Sequence, residues 1–394
     1  MKPSVKEKFL PTTLARIQAL LPEIAKRSGQ IEQERRIPDD LVAVLRQAGC
    51  YRMFAPARYG GDALPLPEAL KVIEALSCAD GATGWTASQV ASSQLIFSYF
   101  PEATIQEMYS AGPDLMGAGA VAPKGQAVAQ EGGWRVSGQW PFVSGSEHAT
   151  WFYVQCLVVE NRKVQMLPSG APAVRMMLFP AREVQILDTW HVIGLQGTAS
   201  HDICFSGAFC PHEHSANMMG SRPTLEDPVF SIPLLDQGGL FIAAVAVGIA
   251  QGALDEVTEL AAGGKRPSFT RERLSQSAVF QDRVGEAYLQ LQGARALLYA
   301  QAETAWAAAT NHSQQTLLER ATLRATPAAV MGAATRIVDT AYTLAGGTSV
   351  YQRCPLQRRL RDIHAATQHV YAGRHSFAVV GALVAQEKID ESLF

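Results

Sequence analysis

The order of sequence patterns restricts this chain most: helix-spaced sequence, then a β-patterned block from Met116 to Phe209, then long Ala-rich helical stretches, with no low-complexity linker between them. In the first part, Pro38-Asp39-Asp40 opens a helix carrying Leu41, Val42, Val44 and Leu45, and Gly49 stops it. Leu66 to Cys78 resumes helical spacing through Leu70, Ile73 and Leu76, and Ala82 to Phe100 is apolar enough to be a buried helix. The middle block holds Trp134-Arg-Val136, Trp151 to Val154, Val174 to Phe179 and Asp202 to Phe205, broken by Gly and Pro. That pattern predicts antiparallel structure, a small β-barrel or sandwich. After Pro228, the stretches Leu240–Ala262, Arg271–Ala309, Gln314–Ala345 and Leu356–Gln386 are each long enough for one arm of a four-helix bundle. The expected class is α+β, mostly α: an N-terminal helical domain (1–115), a central β domain (116–227) and a C-terminal four-helix bundle (228–394).

At 394 residues the chain exceeds one ordinary hydrophobic core and can bury a large ligand. A charged fraction of 18% and a net charge of −2 carry no polyanion-binding footprint, so no nucleic-acid partner is expected. Residues Met1 to Leu10 lack an apolar core and a cleavage site, so no secretory leader is expected there. Leu240 to Ala250, the longest apolar run, is too short to span a bilayer. A cytoplasmic protein without a membrane partner is the expectation. Six scattered cysteines read as reduced thiols. Cys210-Pro-His212-Glu-His214 has metal-ligand residue types, but its spacing reads first as a loop leaving a strand, and no metal is expected.

Three stretches carry a resemblance. Gly138-Gln-Trp140-Pro-Phe142-Val-Ser144-Gly145 is the first. Trp190-His-Val-Ile-Gly194-Leu-Gln-Gly197-Thr198-Ala-Ser200-His-Asp202 is the second, and Ala345-Gly346-Gly347-Thr348, followed by Arg361-Asp362, is the third. Together they resemble, in order and spacing, the signatures of the acyl-CoA dehydrogenase superfamily, and the second is closer to the form found in its oxygenase branch. The resemblance implies that Phe142 packs on an isoalloxazine ring and Ser144 hydrogen-bonds near N5. It also implies cofactor contacts from Gly145, Gly119, Thr198 and Ser200, and room for flavin phosphates at Gly346 and Gly347. Thr198 and Ser200 are short donors. Family resemblance further implies a homotetramer.

The dehydrogenase chemistry of that superfamily needs a carboxylate base. Alignment outward from Arg361-Asp362 and along Leu240 to Asp255 puts Val370 and Gly238 at the two places where the base occurs, and neither accepts a proton. His369 stands near the first. At 100° per residue, Asp362 and His369 share a helix face and His364 is turned about 140° from His369, which makes His369 the candidate acid or base. Trp85, Ser88 and Ser92, with Gln89, follow Gly84 on the buried N-terminal helix and are candidate substrate contacts. The resemblance implies the oxygenase component of a two-component flavin-dependent monooxygenase, using reduced FMN or FAD and O₂ through a C4a-hydroperoxide to hydroxylate or N-oxidise a small aromatic, heteroaromatic or amine substrate. The chain has no Gly-x-Gly-x-x-Gly fingerprint, so a separate flavin reductase is the expected partner. A divergent acyl-CoA dehydrogenase or oxidase, and a non-catalytic binding or assembly subunit, are the alternatives.

Overall fold

The computed structural model describes residues 11–218 and 221–390; the leader expectation for residues 1–10 lies outside them. Six helices come first: α1 (Thr13–Gln18), α2 (Leu21–Glu34), α3 (Asp39–Gln47), α4 (Leu66–Ala79), α5 (Gly81–Phe97) and α6 (Glu102–Tyr109). Local sequence accounts for their ends. Asp39 and Asp40 oppose the positive N-terminal dipole of α3, and Gly49 takes the left-handed conformation after it. The Asp80 side chain caps α5 by accepting from the Thr83 backbone at 2.7 Å.

The middle block forms β1 (Gly117–Gln130), β2 (Gly133–Val143), β3 (Trp151–Glu160), β4 (Lys163–Val164), β5 (Val174–Pro180), β6 (Gln185–Leu187), β7 (His201–Pro211) and β8 (Ser215–Ala216). They make one sheet in the order β6-β7-β2-β1-β3-β5-β8, with β4 beside β3. The all-antiparallel expectation needs correction: β1 and β3 run parallel, and β2, β4, β5 and β6 to β8 pair antiparallel. Consecutive strands joined by tight turns need not all be sheet neighbours, and here β2 leaves on the far side of β1, so β3 returns along it in the same sense.

Helices α7 (Pro228–Ser231), α8 (Leu234–Ala262), α9 (Ala278–Thr310), α10 (Leu317–Ala345), α11 (Pro355–Ala366) and α12 (His375–Val384) complete the chain. The fourth bundle arm, expected as one segment from Leu356 to Gln386, is broken between Ala366 and His375 by a 3-10 turn over Val370–Ala372. The apolar run at Leu240 extends into a 29-residue helix long and apolar enough to cross a membrane by composition, but 83% of its most apolar window is buried inside the fold. Helix α8 packs against α4, α5, α10 and α11, so one continuous core joins the N-terminal helices to the bundle. The sheet keeps a second core around Trp140, Phe152, Phe179 and Phe205. The seam between these two cores, where β2 and the 188–200 loop meet α5 and α11, holds the candidate site.

Candidate active site

Where β2 leaves the sheet, its pairing with β7 shifts between Trp140 and Val143. Pro141 has no N–H to offer the ladder, and Phe142 takes a φ of 64°, a left-handed conformation that costs a non-glycine residue roughly 1–2 kcal/mol. The bulge turns Phe142 outward, 71% exposed, and Ser144 inward, 9% exposed. Such strain persists where the surroundings over-determine it. Here they do: Gly145 N donates to Thr198 O at 2.7 Å and Ser146 Oγ to Ala199 O at 2.7 Å.

Ser144 sits in a chain of hydroxyls. Trp85 Nε1 donates to Ser144 Oγ at 3.0 Å. Ser144 Oγ lies 2.7 Å from Ser200 Oγ, which lies 2.6 Å from Thr198 Oγ1, and Thr198 Oγ1 donates to Leu195 O at 2.8 Å. Thr198 and Ser200 are 1% and 3% exposed, so the structure turns these expected cofactor donors inward, to each other and to Ser144.

Beside this chain stands an apolar wall of Phe142 and Trp190, edge-to-face at 6.2 Å. Trp190 is pinned twice, by its backbone N–H to His201 Nδ1 at 3.2 Å and by its indole N–H to Leu195 O at 3.1 Å. The loop carrying Ile193 and Leu195 is held from the bundle by the Arg-Asp pair: Arg361 donates to Ile193 O at 2.7 Å, and Asp362 accepts the Leu195 N–H at 2.6 Å. Burial pushes the Asp362 carboxyl up to about 7. Gly194 is required there, because a Cβ would lie 2.1 Å from Arg361 O.

His369 reaches the same place by a different route from the one its helical spacing implied. Helix α11 ends at Ala366, and His369 is the extended residue that caps the following 3-10 turn. Its ring meets Trp85 edge-to-face at 5.8 Å and stacks on Tyr371 at 5.3 Å. Burial lowers the imidazole to about 4, so it is neutral throughout the neutral range. His364 lies exposed on the other side, with Nε2 2.9 Å from Asp339. Tyr371, which sequence reasoning missed, fills the gap above Gly238: a Cβ there would come within 2.6 Å of the Tyr371 hydroxyl. Its position two residues beyond His369 was the only available signal, and the break in the helix hid it.

Other expected site residues lie elsewhere or are occupied. Ser88 Oγ donates to Trp85 O at 2.7 Å and Ser92 Oγ to Ser88 O at 2.9 Å, so both hydroxyls bond back into α5 rather than offering a donor to substrate. Gly119 is required by strand packing, since a Cβ there would lie 2.0 Å from Tyr153 O across the parallel β1–β3 pairing. Gly346 has the glycine-only backbone of φ 57° and ψ −147°, and a Cβ on it or on Gly347 would meet nothing within 4 Å, which leaves the open surface expected of that turn. That pair lies before the start of α11 and His369 beyond its end, and the 12-residue helix between them is about 18 Å long. Cys210, His212 and His214 do not converge: the thiol donates to His214 O, while the two imidazoles pack on Trp134 and Trp151 respectively.

The site fits a flavin on its own terms. The wall of Phe142 and Trp190 offers a planar ring an apolar face. At its edge stand Ser144 and the buried Thr86 Oγ1, which has no hydrogen-bond partner among the described residues and whose methyl lies 3.3 Å from where a Gly145 Cβ would be. A polar edge beside an apolar face is the shape of an isoalloxazine.

Comparison with known proteins agrees. Residues 18–110 match the family described as "Acyl-CoA dehydrogenase, N-terminal domain", and residues 240–373 match "Acyl-CoA dehydrogenase, C-terminal domain". The chain is 30% identical over 369 residues to the indole-3-acetate monooxygenase of Pseudomonas putida, covering 93% of this chain and 92% of that one. It is 28% identical over 375 residues to the oxygenase component of the FADH2-dependent resorcinol hydroxylase of Rhizobium sp. strain MTP-10005, covering 91% and 90%. The crystal structure of 3-HSA hydroxylase from Rhodococcus sp. RHA1 superposes with a TM-score of 0.89 at 25% identity, over 98% of this chain and 99% of that one. With the fold shared end to end, and relatives of this identity matched over nine-tenths of their length, the chain belongs to the flavin-dependent monooxygenase branch of the acyl-CoA dehydrogenase superfamily.

Proposed function

We propose that this chain is the oxygenase component of a two-component system, taking reduced flavin from a separate reductase and hydroxylating a small electron-rich aromatic molecule that bears an acidic O–H or N–H. The observation that carries the reading is His369. It is a partly buried, neutral imidazole against Trp85, beside the Ser144 chain, and alignment with the dehydrogenases puts Gly238 and Val370 at their two base positions. Asp236, the carboxylate whose charge reaches Tyr371, is held between Arg320 and Arg324 at 2.9 and 2.5 Å and is not a free base.

Reduced flavin, when bound, supplies the electrons that activate O₂, so that one oxygen atom enters the substrate and the other leaves as water. The protein's share is to exclude water, orient the ring and manage protons. Phe142 and Trp190 cover an apolar face, Ser144 offers an oxygen at the polar edge, and His369 accepts substrate proton density as charge builds on the aromatic ring. The relatives' names, indole-3-acetate monooxygenase and FADH2-dependent resorcinol hydroxylase, support an indole- or phenol-like substrate and are compatible with reduced FAD as well as FMN. A homotetramer follows from the family resemblance alone, and six unpaired thiols support a reducing, cytoplasmic location.

The reading is tested by supplying the protein with NADH, a flavin reductase, ¹⁸O₂ and a panel of phenols, indoles and aryl acids. A hydroxylated product carrying one ¹⁸O, dependent on the reductase, is expected. Bleaching of protein-bound oxidised flavin by an acyl-CoA, with no oxygenated product, would replace this reading with the dehydrogenase one.

A further inference from the structure

We propose that the buried chain Trp85–Ser144–Ser200–Thr198 fixes the direction of the Ser144 hydroxyl, so that the protein distinguishes reduced from oxidised flavin by hydrogen-bond polarity. The proposal rests on the flavin reading above, in which Ser144 faces N5.

One end of the chain cannot change sign. Leu195 O is a carbonyl and only accepts, and Thr198 Oγ1 lies 2.8 Å from it. Thr198 has one hydroxyl hydrogen. With that hydrogen given to Leu195, Thr198 can only accept from Ser200 at 2.6 Å. Ser200 therefore donates to Thr198 and accepts from Ser144 at 2.7 Å. The opposite end imposes the same sense, because the Trp85 indole nitrogen only donates and lies 3.0 Å from Ser144 Oγ. The reverse polarity would press lone pairs of Thr198 and Leu195 together at 2.8 Å, in a place too buried for water to relieve them.

Ser144 is left with its only hydrogen committed to Ser200 and one lone pair committed to Trp85. Its remaining lone pair can accept and nothing else. Reduced flavin carries an N–H at N5 and satisfies that lone pair, whereas oxidised flavin presents a lone pair at N5 and opposes it. Ser144 by itself, with a free rotor, would serve either form. Ser200, Thr198 and Trp85 are positioning residues, and the preference belongs to the whole chain.

The discriminating substitution is Thr198→Val, which keeps the branched shape and removes the hydroxyl that sets the direction. Ser200 then has Ser144 as its acceptor, and the Ser144 hydrogen is released to point at the flavin. Dissociation constants of FMN and FAD, oxidised and anaerobically reduced, are measured by titration for the wild type and each variant. The wild type is expected to bind reduced flavin more tightly, and Thr198→Val to lower the oxidised-to-reduced Kd ratio about tenfold, the worth of one hydrogen bond gained or lost. Thr198→Ser is expected to retain the wild-type ratio. In a Ser144→Ala background, Thr198→Val is expected to change nothing further, because it acts through Ser144. Ser200→Ala also frees the Ser144 hydrogen and gives a second route to the same shift should the valine variant not fold. A ratio within twofold of wild type in both Thr198→Val and Ser200→Ala, with reduced flavin still bound, overturns the polarity device and leaves the oxygenase reading standing. A wild type that binds neither form removes both.

Discussion

His369→Ala lowers substrate oxygenation by about 10²- to 10⁴-fold, the usual contribution of a general acid or base, while the Kd for reduced flavin stays near the wild-type value. The imidazole packs on Trp85 and Tyr371 rather than on the Phe142–Trp190 wall, so its loss removes a proton acceptor from the substrate side and leaves the flavin face intact. Because burial lowers its pKa to about 4, His369 is uncharged at neutrality and cannot act there as a standing imidazolium acid. It is also too weak a base to ionise a phenol outright. It acts by taking the proton as positive character develops on the ring in the transition state. Protonation disables an acceptor, so activity is lost as pH falls through the folded value. The acid limb of kcat/KM therefore lies near pH 4, with no inflection at the ordinary histidine value near 6.5. A wild-type profile that halves at about pH 6.5 would show an imidazole exposed to water.

Arg359→Met destabilises the fold by about 3–5 kcal/mol, as expected when one partner of a buried ion pair is removed. Arg359 reaches from α11 to the C-terminal end of α4, where it donates to Ser77 O, Cys78 O and Ala79 O at 3.0, 2.6 and 3.3 Å. A cation there meets the negative end of the α4 dipole and satisfies carbonyls that have no partner in their own helix. It also pairs with Glu256 on α8 at 3.0 Å. Methionine fills much of the same volume but leaves Glu256 and the carbonyls buried without a donor. A urea titration is expected to show a lower midpoint with little change in slope. An unchanged midpoint would mean that water reaches these groups and that the pair is not a tie between the N-terminal helices and the bundle.

Much of this was legible in the sequence, for identifiable reasons. The helices α3, α4 and α5 were written locally, in Asp39-Asp40, in the spacing of Leu70, Ile73 and Leu76, and in an apolar run that had to be buried. The first two signature stretches placed Phe142, Ser144, Thr198 and Ser200 at one seam, because their spacing is tied to a fold. What failed to show depends on tertiary contact. Nothing near Gly119 says that Tyr153 O will press against it, since that follows from the parallel pairing of β1 with β3. The face argument for His369 assumed a helix that stops at Ala366; the residue arrived at the site through a turn, and Tyr371 arrived with it. Donor direction along Ser144, Ser200 and Thr198 is set by Leu195 O at the end of the chain, a contact that only the folded loop creates.

The central claim is that this site shelters reduced flavin while it reacts with oxygen. Stopped-flow absorbance, after mixing the protein and anaerobically reduced flavin with oxygenated buffer, tests it most directly. The account expects a transient species, spectrally distinct from both oxidised and reduced flavin, that outlives free flavin oxidation and is shortened when Ser144 is replaced by alanine. Direct return to oxidised flavin at the rate seen without protein would contradict it.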